Sequence, residues 1–355
     1  MSNGTTVLLP VASDEQFTPI SVDDCYFQIA LHAAQVFVAL PGLSQTTHLV
    51  CSTEVGSTFL PDHYVRSIHK VETVQKNRPC PLGLSVVLTD WMPAIADKTI
   101  RVSLKLVAVR DKPFGKLTDT IEQLDLSSAL SLLAPQIGTG IKIATIVGKM
   151  LGTILEEGAT KNVLELAVDL PVHDMRAGYW AVIAPDTSGD RPIALHLRPG
   201  GLLDDPKAPF SERNTYAVLK VRARERRGPE AARATAWWST LQDGLRQVRR
   251  LAPPAAEKDR RKANGIWLDT LERAERLAEE DRSFLLSEIR QIFQVHEQEV
   301  QRMLHPPTVF EATGGAAFSE ERQRLLGVRD AAELDQAVAS YQQALARAAA
   351  DEAAT

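Results

Sequence analysis

The spacing of apolar residues changes along this chain, and the order of the changes limits the folds open to it. From Thr99 to Val109, Ile100, Val102, Leu104 and Leu106 alternate with Arg101, Ser103 and Lys105. A period of two puts successive side chains on opposite faces, which describes a strand with one buried and one wet face. The alternation returns where Leu164, Leu166, Val168 and Leu170 are interleaved with Glu165, Ala167 and Asp169. Between these stretches the apolar period is helical, and beyond residue 226 it is helical throughout. The pattern predicts an α+β multidomain chain. An N-terminal antiparallel β-sandwich, C2-like or immunoglobulin-like, spans 21–226 and carries an inserted amphipathic helical pair at about 119–157. An α-helical domain, a bundle or set of hairpins, follows over 227–355.

Other segments fill in this outline. Residues 1–20, with Pro10 and Pro19, read as an extended leader. CYFQIALH, QVFVAL, THLVCST, HYVRSIHKVETV, GYWAVIA and TYAVLKVRA are rich in aromatic and β-branched residues and read as strands. The composition shifts sharply over 222–235, and the strand formers thin out. Trp237, Leu241, Leu245 and Val248 then lie at helical spacing, as do Trp267, Leu271, Ala274 and Ala278. Ser319 starts a short helix that Gly327 ends, and Asp330 with Glu333 forms a capping-box-like start for the last helix. Leu334, Val338, Tyr341 and Leu345 make the stripe of that helix.

The stretch 140–157, GIKIATIVGKMLGTILEE, carries the most distinctive pattern. Wound at 3.6 residues per turn, Ile143, Ile146, Val147, Met150, Leu151, Ile154 and Leu155 share one face, while Lys142, Thr145, Lys149 and Thr153 share the other. Gly140, Ala144, Gly148 and Gly152 recur every four residues and form a small-residue track that admits another backbone closely. Each such glycine costs a helix about 1 kcal/mol relative to alanine, a cost that close packing or a conformational change would offset. Two lysines and central glycines make the stretch a poor constitutive transmembrane helix. Three uses remain open: a core element against the chain's own sheet, a helix that engages a membrane interface or a partner's groove, or an obligate oligomer interface.

Motifs for chemistry are absent at useful spacing. Gly138-Thr139-Gly140 lacks the third glycine of a dinucleotide loop and the Gly-Lys-Ser/Thr of a phosphate loop. His296-Glu297 lacks the second histidine of a zinc motif, which leaves His296 as an exposed helical histidine. No GxSxG elbow occurs. Cys25, Cys51 and Cys80 are odd in number and unpaired in sequence, which favours reduced thiols in a cytoplasmic protein. No catalytic residue, metal ligand or cofactor is assigned on these grounds.

Charge is uneven. The chain carries a net −5, yet between Lys220 and Lys262 thirteen lysines and arginines stand against five carboxylates. Arg222, Arg224, Arg226, Arg227, Arg246, Arg249, Arg250, Arg260 and Arg261 make up the candidate basic patch. Such a patch suits an acidic protein partner or an anionic membrane surface, and nucleic acid less well given the whole-chain charge. Trp237 and Trp238 within it fit either a membrane interface or a helical core. The expected function is a non-enzymatic binding or effector protein, cytoplasmic or peripheral at a membrane, whose glycine-spaced helix engages a membrane or a protein partner. A constitutive scaffold or adaptor in a multi-protein assembly is the alternative, and an enzyme with a site assembled only in the fold is the third reading.

Overall fold

The computed structural model describes residues 7–12, 18–37, 47–57, 60–74, 79–82, 86–109, 160–183, 195–198, 201–205, 208–209, 214–251, 256–304 and 318–354. The expected insertion at 119–157 lies outside the described residues. The chain divides into two compact units, Met1–Val22 with Phe27–Ala223, and Asp23–Tyr26 with Arg224–Thr355.

Strands come first in the chain and helices after them. The strands are β1 (Val7–Ala12), β2 (Thr18–Pro19), β3 (Tyr26–Phe37), β4 (Thr47–Ser57) and β5 (Leu60–Val74). Next come β6 (Pro79–Leu82), β7 (Val86–Val87), β8 (Met92–Pro93), β9 (Thr99–Val109) and β10 (Thr160–Pro171). A 3-10 turn at Val172–Asp174 leads to β11 (Arg176–Ile183), and β12 (Leu195–Arg198), β13 (Gly201–Asp205), β14 (Ala208–Pro209) and β15 (Tyr216–Arg224) complete the set.

Two sheets result. The larger runs β14-β13-β12-β1-β11-β15-β3-β6, with β2 on β11 and both β7 and β8 on β3. It is mixed, which corrects the expectation of purely antiparallel pairing. β1 lies between β11 and β12, antiparallel to the first and parallel to the second. Because β11 and β12 run in opposite directions, a strand placed between them must be parallel to one. Residues 7–12, read from sequence as part of a leader, therefore form an interior strand. β15 is buried without interruption from Tyr216 to Val221, the pattern of a strand covered on both faces. Val11, Tyr179, Ala181, Tyr216 and Val218 form a core on one face.

The smaller sheet runs β10-β9-β4-β5 and is antiparallel throughout. On β9, Ile100, Val102 and Leu104 are fully buried while Arg101 is exposed and pairs across the ladder with Asp169 at 3.2 Å. The alternation seen in sequence is the alternation of the strand.

The second unit contains α1 (Pro229–Ala232), α2 (Ala236–Leu251), α3 (Glu257–Asp281), α4 (Leu286–Leu304), α5 (Glu320–Leu326) and α6 (Ala331–Ala354). Trp237 is fully buried and meets Phe284 and Phe293 edge-to-face at 5.5 and 6.3 Å. It belongs to the core rather than to an interface. Trp267, Leu271, Leu241 and Tyr341 are buried with it. α2 and α3 cross closely at Gly244, where a Cβ would fall 2.3 Å from the Thr270 side chain. The ends are set locally: Arg282 closes α3 and Gly327 closes α5 in left-handed conformations. Ser319 accepts the Arg322 N–H at 3.4 Å, and Asp330 accepts those of Ala332 and Glu333 at 3.0 Å each. Glu333 reaches one residue further back than a capping box requires, to the Arg329 N–H at 2.8 Å.

Candidate functional site

Gly140, Lys142, Ile143, Ala144, Ile146, Val147, Gly148, Lys149, Met150, Leu151, Gly152, Ile154 and Leu155 lie outside the described residues. What the structure does fix is where that stretch attaches. β9 ends at Val109 and β10 begins at Thr160, and these residues face each other in the ladder. Residues 110–159 thus leave and rejoin one antiparallel strand pair at adjacent positions.

The basic stretch is distributed over several environments. Arg222 is half-buried on β15. At the end of β15, Arg224 donates to the Arg227 carbonyl at 3.3 Å, and in the turn that follows Arg226 donates to the Glu225 carbonyl at 2.7 Å. Arg227 donates to the Ser283 carbonyl at 3.1 Å and lies over the Phe284 ring at 5.0 Å. These side chains brace a turn. Further on, Arg246 pairs with Asp243 and Arg249 with Glu299 of α4, while Arg260 and Arg261 both reach Glu257 at 3.1 Å. Arg250 is exposed on α2. Asp243 and Glu257 lie within the basic stretch itself, and Glu299 is the carboxylate that a different helix brings to it. Exposed pairs of this kind are worth only about 0–1 kcal/mol each, so an anionic surface could compete for the arginines.

Two buried carboxylates organise the helical unit. Glu288 is fully buried and accepts the Arg227 N–H at 3.1 and 3.0 Å, the Gly228 N–H at 2.8 Å and the Tyr341 hydroxyl at 3.2 Å. Tyr26 is hydrogen-bonded to it as well, and its hydroxyl accepts the Leu285 N–H at 2.9 Å. Burial, then the charge and hydrogen bond of Glu288, raise the ionisation of Tyr26 and Tyr341 far above the ordinary 10. Gly228 has φ of 89°, a conformation that favours glycine, which lets its N–H turn toward the carboxylate.

Glu297, about two and a half turns on, is also fully buried. It accepts the Trp267 indole N–H at 2.7 Å and the Gln301 amide, and Arg322 Nε lies 3.3 Å away. Arg322 also donates to Asn264 and covers Phe318 at 5.5 Å. Sequence reasoning passed over both carboxylates. Their signal was position: Glu288 falls on the stripe of Leu285, Ile289 and Ile292, and Glu297 on that of Phe293, Val300 and Leu304.

His296, expected to be exposed, is only 12 % exposed. Its ring meets Trp238 at 5.3 Å and its Nε2 lies 3.5 Å from the Gln242 amide. Burial lowers its basicity below the ordinary 6.5; Glu299 opposes that shift and Arg249 reinforces it.

In the strand unit an apolar cavity of about 60 Å³ opens under the turn that joins β10 to β11. Leu8, Ile29, Leu219 and Val221 of the large sheet line it together with Leu170, Pro171 and Met175. Among the described residues, no group of three or more histidine, cysteine or carboxylate side chains could hold a metal ion, and no helix is long and apolar enough to cross a membrane. The chain matches no protein-family model, no curated protein and no solved structure.

Proposed function

We propose that the protein is a non-enzymatic binding or effector protein whose glycine-spaced helix at 140–157 engages a membrane or a protein partner, with membrane perturbation after a trigger as its sharper form. The observation that carries this reading is the register of β9 and β10. Val109 faces Thr160, so the two ends of the stretch 110–159 meet at one ladder position. An amphipathic helical pattern between two such ends suits a segment that engages a membrane interface or a partner's groove. The protein would then be cytoplasmic, and peripheral at a membrane when engaged. We also read the two sheets as the layers of a C2-like or immunoglobulin-like sandwich. In support, Leu170 and Pro171 of β10 and Leu8, Ile29 and Leu219 of the large sheet line one cavity.

Dye release and co-sedimentation with anionic and neutral liposomes test the membrane form. Release by the full chain that disappears in Gly148→Leu/Gly152→Leu would support it, because leucines block close helix approach. Release unaffected by the double substitution would remove the glycines from the mechanism, and silence with both liposome types would remove the membrane.

A second reading, a constitutive scaffold or adaptor, is favoured by the pairing of Arg246, Arg249, Arg260 and Arg261 with carboxylates of this chain. Amide exchange separates the two: a permanent core helix would be protected as strongly as β9 and β10, an exchangeable one far less.

A further inference from the structure

We propose that α3 pairs antiparallel with α3 of a second copy of this chain, about a two-fold axis beside Gly265. Gly265 is exposed in the interior of α3, and a Cβ there would meet nothing within 4 Å. Glycine costs a helix stability relative to alanine, and no neighbour among the described residues requires it here. What a glycine does provide is room for another backbone to approach closely.

The charges around it are ordered. Lys258 stands seven residues before Gly265 and Glu272 seven after it, while Arg261 stands four before and Asp269 four after. With Lys262, all of them lie within about 60° of Gly265 around the helix. Glu272 is half-buried and the others are exposed. A basic turn therefore precedes the glycine and an acidic turn follows it on one face. A two-fold axis there reverses the second helix, so the basic turn of each copy meets the acidic turn of the other, and the contact is self-complementary. This face is also incompletely neutralised within the chain. Among the described residues Lys258, Lys262 and Asp269 form no ion pair, and Arg261 shares Glu257 with Arg260. Arg276, the next cation on the face, already has Glu272 at 4.0 Å. Exposed ion pairs are individually weak, so the contact should be a reversible dimer that salt dissociates.

Sedimentation equilibrium of the full chain tests this. The wild type should show a monomer–dimer equilibrium. Raising salt from about 0.1 M to about 1 M, which shortens the Debye length from about 10 Å to about 3 Å, should weaken it roughly tenfold. Lys258→Glu/Lys262→Glu and Asp269→Lys should each dissociate it further, because like charges then face each other. Mixed in equal amounts, these two variants should pair as a heterodimer in which both contacts regain opposite charges, and the triple variant should dimerise again on its own. Gly265→Gln should weaken the dimer roughly tenfold, as overpacking a close contact does, without lowering the urea midpoint, since its side chain enters open space. A dimer that ignores the charge reversals or Gly265→Gln, or a mixture that fails to pair, would place the contact elsewhere and overturn the assignment. A chain that is monomeric at every concentration would overturn the proposal whole. If anionic vesicles then bind the wild type but not Lys258→Glu/Lys262→Glu, the basic turn faces a membrane instead.

Discussion

β15 and α4 are both deeply buried, yet they are built on opposite terms. β15 presents six consecutive buried residues of which Lys220 alone is charged. α4 buries Glu288, Gln294, Glu297 and Gln301 among its apolar side chains. The difference lies in what satisfies the backbone. A strand inside a sheet has its N–H and C=O groups paired in ladders on both sides, so its side chains are free to be apolar. Where β15 ends the ladder stops, and the N–H groups of Arg227 and Gly228 need another acceptor. Glu288 supplies it. Gln294 does the same at a helix end, donating to the Leu326 carbonyl at 2.7 Å. Glu288 and Gln294 thus stand where regular hydrogen bonding is interrupted, and they fix which segments meet there.

That contrast breaks most visibly at Glu288. Glu288→Ala would leave the N–H groups of Arg227 and Gly228 and the hydroxyls of Tyr26 and Tyr341 without their acceptor, for a loss of about 3–5 kcal/mol. Urea unfolding followed by tryptophan emission would register it, since Trp237, Trp238 and Trp267 all lie in the helical unit. A loss below about 1 kcal/mol would mean that water replaces the carboxylate and that the contrast with β15 is superficial. The matching substitution in the strand unit is Leu104→Ala on β9. Leu104 is fully buried, and removing it should cost about 2–5 kcal/mol through lost burial and a residual cavity. Here the decisive comparison is Leu104→Met, which keeps the volume and should cost under about 1.5 kcal/mol in urea unfolding followed by the strand signal of circular dichroism, since Leu104 lies in the strand unit. Glu288→Gln keeps shape in the same way, but its amide places an N–H where an acceptor is needed. It should remain well below wild type, whereas Leu104→Met should not.

How far each region could be read in advance follows from the same physics. Alternation on β9 and the stripes through Trp237, Trp267 and Leu334 are local consequences of burial on one face, and they were legible. The parallel pairing of β1 with β12 was not, because it depends on strands more than 180 residues apart and on no local period. Pro10 disguised β1 as a leader, yet it lies opposite Trp180 in the β1–β11 ladder. Glu288 and Glu297 looked like ordinary helical charges because sequence shows only that a carboxylate sits on an apolar stripe, not that distant donors converge on it. The basic patch was legible as charge and illegible as field, since Glu299 reaches Arg249 only through the packing of α4 against α2.

Gly244 sharpens the comparison on the side of close packing. A methyl group there would overlap Thr270 on α3, and Thr270 is held by its own hydrogen bond to the Ile266 carbonyl at 2.7 Å. Gly244→Ala should therefore cost about 1–3 kcal/mol despite alanine's better helix propensity. The double variant Gly244→Ala/Thr270→Ala should recover most of it. A cycle with no coupling between the two positions would show that α2 and α3 separate instead of clashing.

The smallest expected effect concerns His296, where a polar group on α4 is buried without the donors and acceptors that Glu288 enjoys. Its basicity in the folded protein is lowered, chiefly by burial, while in the unfolded chain it titrates near the ordinary 6.5. Above that pH the ring is neutral in both states and has no effect on stability. As pH falls below 6.5 the unfolded chain takes up the proton first, so unfolding is favoured, and the loss continues until the pH reaches the lowered folded value. Glu299 and Arg249, the charged groups beside the ring, pull in opposite directions, which keeps the effect modest. Urea midpoints measured between pH 7.5 and 5.5 should decline for the wild type and decline less for His296→Gln, whose amide cannot take up a proton. Identical slopes would mean that water reaches the ring and that His296 behaves as a surface histidine. Trp238, 5.3 Å from it, offers a second readout, because protonation of an adjacent imidazole should alter its emission over the same range before any unfolding.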